Sequence, residues 1–216
     1  MTEKIAITIS RQFCCGGAKI GHIVASQLGF YYADREVVHL AAESLGVSVE
    51  EISWRDERLA STWDRITEMF TFGLPDITYV APPFRTVTDE HLFGLEAKII
   101  RELAERENCV VVGRGGRYVL RDHPGAVHVF LHAPAEFRVN LAIEAYHAKT
   151  KEQALTLIQE SDRMRQAYLS RMAKYEWLRV TNYDLALDTS VISAEKAAEL
   201  IIDFVNLKTS RAASQS

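Results

Sequence analysis

The residues best suited to chemistry lie together near the amino terminus, in the run Ser10-Arg11-Gln12-Phe13-Cys14-Cys15-Gly16-Gly17-Ala18-Lys19. Residues 5–9 before it are apolar and β-branched almost throughout, the pattern of a strand buried on both faces. Ile20, Ile23, Val24 and Leu28 after it recur at helical spacing, and Gly29 stands where a carboxyl cap would. A turn leading into a helix amino terminus offers unpaired backbone N–H groups and partial positive charge, and glycines let a polyphosphate come close. Phosphate binding is the chemistry to expect. The match to Gly, four residues, Gly-Lys and Ser or Thr is incomplete, because Arg11 replaces the first glycine and only Gly16 fits the second. Gly17 and Ala18 fill the lysine and hydroxyl positions. By that consensus alone, a phosphate loop and a plain structural turn stand level. Lys19, in the first helical turn, reads equally as a phosphate ligand or a solvated lysine. Cys14 and Cys15 at a helix start could have lowered thiol pKa values, with small loop fillers as the blander reading.

Further candidates follow along the chain. Asp34 ends the short strand 30–33, at the edge where ligands bind in open parallel sheets, and it also suits the capping of a helix over 35–45. Arg35 beside it reads as a phosphate grip or a surface helix residue. Arg114 follows the strand 109–112 between Gly113 and Gly115, where a guanidinium can make a forked phosphate contact. Glu160, Asp162, Arg163, Arg165 and Arg171 share a long polar helix capped by Thr150 with Gln153. Spacing alone pairs Asp162 with Arg165 and Glu160 with Arg163 within that helix. The histidines show no metal-ligand cluster.

The elements that must position these residues alternate. Strands are expected at 5–9, 30–33, 109–112, 127–131 and 185–187, with Pro134 opening one helix and Ser193 capping the last. Ser48 with Glu51 forms a capping box for a further helix past Trp54, and Pro75, Pro82 and Pro83 interrupt a long loop over 72–88. Alternation of this kind predicts a parallel sheet covered on both faces. With 216 residues, 48% hydrophobic and 25% charged, the chain suits one domain, placed at 1–208 with a tail at 209–216 that is small and polar. A net charge of -4 argues against a general nucleic-acid binder. Three cysteines without motif spacing suit a reducing cytoplasm, and no apolar run reaches membrane-spanning length.

Residues 7–13, the Gly16-Gly17 pair and Tyr31-Tyr32-Ala33-Asp34-Arg35-Glu36 together resemble the opening of the cytidylate-kinase-like family. Val110 to Arg114 resembles the Gly-Arg turn of cytidylate kinases, Val129 to Ala133 their next strand, and Tyr183 to Ser190 their last. The resemblance runs nearly the whole chain in order, except residues 46–90. It implies a three-layer α/β sandwich of the P-loop type, with about five parallel strands, an acceptor-binding excursion at 35–106 and a helical lid at 150–180. It implies transfer of the ATP γ-phosphate, with Mg²⁺, to a nucleoside monophosphate such as CMP. In that frame Ser10 to Lys19 hold ATP, Asp34 serves catalysis and, with Ser10 or water, the metal, since Ala18 has no hydroxyl. Arg35 and Arg114 bind the acceptor, and Arg163 and Arg165 are lid arginines. Gly115 stands where cytidylate kinases carry aspartate, so the resemblance does not carry their cytosine selectivity, and a kinase of another small molecule, its pocket shaped by residues 46–90, is a further alternative. A catalytically weak nucleotide-binding protein is the second implied class, and a homodimer is compatible with either.

Overall fold

Five short, largely apolar runs pair in parallel in the computed structural model, which describes residues 4–34, 90–146 and 148–213. β1 (Ala6–Arg11) leads into α1 (Gly17–Leu28) and β2 (Tyr31–Ala33). Next come α2 (Glu90–Arg106), β3 (Cys109–Val112), the single turn α3 (Gly116–Val119) and β4 (Ala126–His132). α4 (Ala135–Tyr146), α5 (Lys151–Ala173), a 3₁₀ turn at Val180–Asn182, β5 (Leu185–Asp188) and α6 (Ala194–Ala213) complete the order. The sheet reads β2-β3-β1-β4-β5, so β1 lies at its centre, with Ile9 opposite Val112 on one side and Val129 on the other.

Period-two alternation sends the side chains of β1 to two different layers. Ile7 and Ile9 pack with Ile20 and Val24 of α1 and with Ala197, Ile201 and Val205 of α6. Ala6 belongs to the opposite layer, among Ile99, Ile100 and Leu103 of α2, Leu169 of α5 and Trp177. The result is the three-layer α/β sandwich expected from the sequence. Each fully buried aliphatic side chain contributes about 1.5–3 kcal/mol to it. α1 lies unusually near the sheet: a Cβ on Gly21 would come within 2.6 Å of Val112 Cγ2. Gly29 ends that helix in left-handed backbone at φ 64, its N–H directed at the carbonyls of Ala25 and Ser26.

The carboxyl terminus departs from expectation. Instead of fraying from residue 209, α6 continues to Ala213. The hydroxyls of its small polar residues are satisfied within the helix, Thr209 donating to the Val205 carbonyl at 3.0 Å and Ser210 to that of Asn206 at 2.7 Å. Lys208 also donates to the Ala126 carbonyl at 2.8 Å and to Asp184 at 3.0 Å, which ties the helix to the β4 and β5 edge. The helices expected over 35–45 and beyond Ser48, and the loop at 72–88, lie outside the described residues. Among the described residues no helix is long and apolar enough to cross a membrane.

Candidate functional site

β1 and β3 are parallel neighbours, so the turns after them open on the same edge of the sheet. Both turns use left-handed backbone, at Cys14 (φ 59) and Gly16 (φ 69) in the first and at Gly113 (φ 82), Arg114 (φ 51) and Gly115 (φ 66) in the second. For Cys14 and Arg114 that conformation costs on the order of 1 kcal/mol each, strain of the kind that gathers at functional sites. Left-handed residues in a turn aim successive N–H groups into a concavity that suits anions. Among the described residues, no acceptor meets the backbone N–H groups of Cys14 through Lys19, which are the donors a phosphate would use.

The first turn is held from two sides. Toward the sheet, Gln12 donates its N–H to Leu131 O at 3.0 Å and accepts from the Ala133 N–H at 3.3 Å. Toward α4 and α5, Asp162 Oδ1 accepts the Phe13 N–H at 2.8 Å while its other oxygen takes Arg138 Nη1 at 2.6 Å. Arg138 also donates to Phe13 O at 3.3 Å, and Arg165 donates to Arg11 O at 2.7 Å. Phe13 and Cys14 sit in a separate apolar cluster with Val139, Ala142, Ala154 and Ile158, the Phe13 ring 4.5 Å from that of Tyr146. The loop is thus built into the packing of α4 and α5 as well as into the strand that precedes it. Spacing pairs Asp162 with Arg165 alone, which it meets at 3.6 Å, and nothing in the spacing places Arg138 at the loop. Burial and the neighbouring Arg11 guanidinium push Arg165 down to about 9, with Asp162 opposing.

The other residues expected at the site are placed as follows. Lys19 turns outward and pairs with exposed Glu195 of α6 at 3.0 Å, so its ammonium is engaged away from the loop. Cys14 and Cys15 are buried, and desolvation pushes both thiols up to about 12, opposite to the lowered values a helix start suggested. Ser10 is buried in β1. Arg114 forms a buried ion pair with Glu96 of α2 and lies 5.9 Å from the centre of the Tyr168 ring. Glu96 carried no signal in the sequence that set it apart from its helix. Arg163 is exposed while Arg165 points inward, as two residues 200° apart on a helix must differ. Asp34 is buried at the end of β2 and accepts from Tyr32 Oη at 3.3 Å. Arg35 lies outside the described residues.

A family model described as the cytidylate kinase-like family matches residues 6–191. The chain belongs to that family. Among solved structures, an uncharacterized protein from Eubacterium ventriosum is similar at 18% identity and TM-score 0.66, over 94% of this chain and 99% of its own. Shikimate kinase from Bacteroides thetaiotaomicron follows at 14% and 0.53, with 94% and 98% covered. A gluconokinase from Sinorhizobium meliloti gives 14% and 0.52, with 100% and 99% covered. These likenesses establish the fold as that of small kinases. Among curated proteins none matches by sequence.

For a member of the cytidylate kinase-like family, ATP and Mg²⁺ are the groups to test against the residues present. The loop fits a polyphosphate, with its unused N–H groups and left-handed turns. Of the two metal ligands expected from the sequence, Ser10 lies buried in β1 and Asp34 buried at the end of β2, where either would hold an ion through the waters it retains. Among the described residues, no group of three or more His, Cys, Asp or Glu side chains gathers to hold a metal directly.

Proposed function

We propose that this chain transfers the γ-phosphate of ATP to a nucleoside monophosphate of the CMP class. The observation that carries the reading is the turn after β1, where the N–H groups of Cys14 to Lys19 have no acceptor among the described residues and Arg11 lies beside them. The family match over 6–191 supports it. In this reading the loop amides bind and orient the polyphosphate, and the second turn, with Arg114, faces the acceptor. Asp34 orients the acceptor or holds Mg²⁺ through water, and the ion when bound neutralises charge on the transferring group. Phosphoryl transfer needs little more than such positioning and charge stabilisation.

A second reading has its own observation: Gly17 replaces the loop lysine, Ala18 replaces the loop hydroxyl, and Lys19 is drawn to Glu195. On that reading the site binds nucleotide and turns over slowly. A coupled assay separates the two, with a panel of nucleoside monophosphates alongside shikimate and gluconate, the acceptors named by the kinases of similar fold. Acceptor-dependent ATP consumption with CMP strongest supports the proposal. Stimulation only by a hydroxylated acid moves the acceptor class. Tight ATP binding with no stimulation by any acceptor favours the second reading.

A further inference from the structure

A phosphate loop without its lysine must meet the charge of a polyphosphate some other way, and the path of one side chain shows how. The stem of Arg11 crosses over the start of α1, and its guanidinium ends beside the turn after β3. A Cβ on Gly17 would stand 2.9 Å from Arg11 Cγ, and one on Gly113 would stand 2.0 Å from Arg11 Nη1. Two glycines, one in each phosphate-facing turn, therefore form the channel this arginine occupies. Position 17 is where the standard pattern has its lysine, and position 11 is where it has its first glycine. The same space holds either a lysine from the helix or an arginine from the strand, and not both.

The geometry points to Arg11 as the phosphate-binding cation of this loop, a lysine-for-glycine pattern exchanged into an arginine-for-glycine pattern that places positive charge at the β and γ phosphates of a nucleotide. This inference rests on the nucleotide-binding reading above and names the group that makes it work. Three arginines, Arg11, Arg138 and Arg165, stand about the loop, and its nearest carboxylate, Asp162, is taken by Arg138 at 2.6 Å and Arg165 at 3.6 Å. Among the described residues no carboxylate pairs with Arg11. The depressed pKa of Arg165, caused first by burial and next by Arg11, records the same crowding of like charge. An anion on the loop relieves it. The Arg11 carbonyl is fixed by Arg165 at 2.7 Å, so the side chain starts from a held backbone, and its planar fork suits paired contacts to phosphate oxygens.

The experiment is calorimetric titration of the full chain with ATP, ADP and inorganic tripolyphosphate, with and without Mg²⁺. Arg11→Gln is expected to weaken ATP and tripolyphosphate at least tenfold without lowering the thermal midpoint of the free protein, and Arg11→Lys to fall between. Gly113→Ala, whose methyl displaces the guanidinium while keeping its charge, is expected to weaken both ligands as well. Gly29→Ala has a similar positive φ, 64°, and nothing within 4 Å, so it controls for backbone strain and leaves affinity unchanged. The double variant R11G/G17K, which restores the standard residues at both positions, is expected to recover most of the binding that R11G alone loses. Wild-type binding with Arg11→Gln and Gly113→Ala both within twofold overturns the inference and leaves nucleotide binding standing. A folded R11G/G17K that binds no better than R11G overturns the exchange. Wild-type protein that binds none of the three ligands removes the nucleotide-binding reading itself, and this inference with it.

Discussion

Thr8 and His128 meet across β1 and β4 with hydroxyl and Nδ1 2.7 Å apart, a buried polar pair within a mostly apolar sheet. Burial is the main cause that pushes the imidazole down to about 4; the Arg117 guanidinium adds to it and Asp184 opposes. The folded protein therefore carries His128 neutral, while the unfolded chain takes up the proton near 6.5. Because the unfolded state binds more protons between these values, stability is whole above about pH 6.5 and declines as acid approaches pH 4. The loss from this group is about 3 kcal/mol at most. Urea unfolding at pH 7 and pH 4.5 should show the decline, and His128→Gln should flatten it. At this scale the sequence was an uneven guide. The run from Ser10 to Lys19 announced itself by glycines between a strand and a helix, a local pattern. Asp162 and Arg138 did not, because their loop partner Phe13 lies 149 and 125 residues away and no spacing links them. Arg114 was visible by its flanking glycines, but Glu96, which neutralises it, looked like any other carboxylate on an amphipathic helix.

Elements were easier to foresee than contacts, since the signals that start and stop them are local. Thr150 accepts the Gln153 N–H at 3.2 Å and Ser193 that of Lys196 at 3.1 Å, as the capping residues implied. β3 spans Cys109–Val112, the four residues its composition marked out. What composition left out was the second task of α5. Read alone, it is a solvated helix with alternating charges; in the fold, its inward stripe of Ile158, Asp162, Arg165 and Leu169 supports both a core and the loop. Asp162→Asn would remove the carboxylate between two largely buried guanidinium groups and weaken the hold on the Phe13 N–H. The expected cost is on the order of 3 kcal/mol, because cations deprived of their partner keep their desolvation penalty. Chemical denaturation of the variant measures it. A loss below about 0.5 kcal/mol would mean that solvent screens this group as it does a surface pair.

Across the whole molecule, alternation of strands and helices led directly to a parallel sheet between two helical layers, because that is how such elements bury their apolar faces. The extent of the last helix was missed, since the polar residues that looked like a tail bond back into their own helix while Lys208 reaches the sheet. Ending the chain at Leu207 should therefore destabilise the fold by about 1–3 kcal/mol, the cost of losing hydrogen bonds to a charged group. A tail without structure would give no change in the thermal midpoint. The anchoring of the phosphate loop has a wider consequence. Its Arg11 and Phe13 backbone groups are held by three side chains on α4 and α5, so the loop and these helices share one mechanical joint. If the loop binds phosphate as proposed, its occupation and the position of α5 would be coupled to the same energetic extent in both directions, since coupling between two sites is reciprocal. An occupied loop would then be felt along the whole of a 23-residue helix.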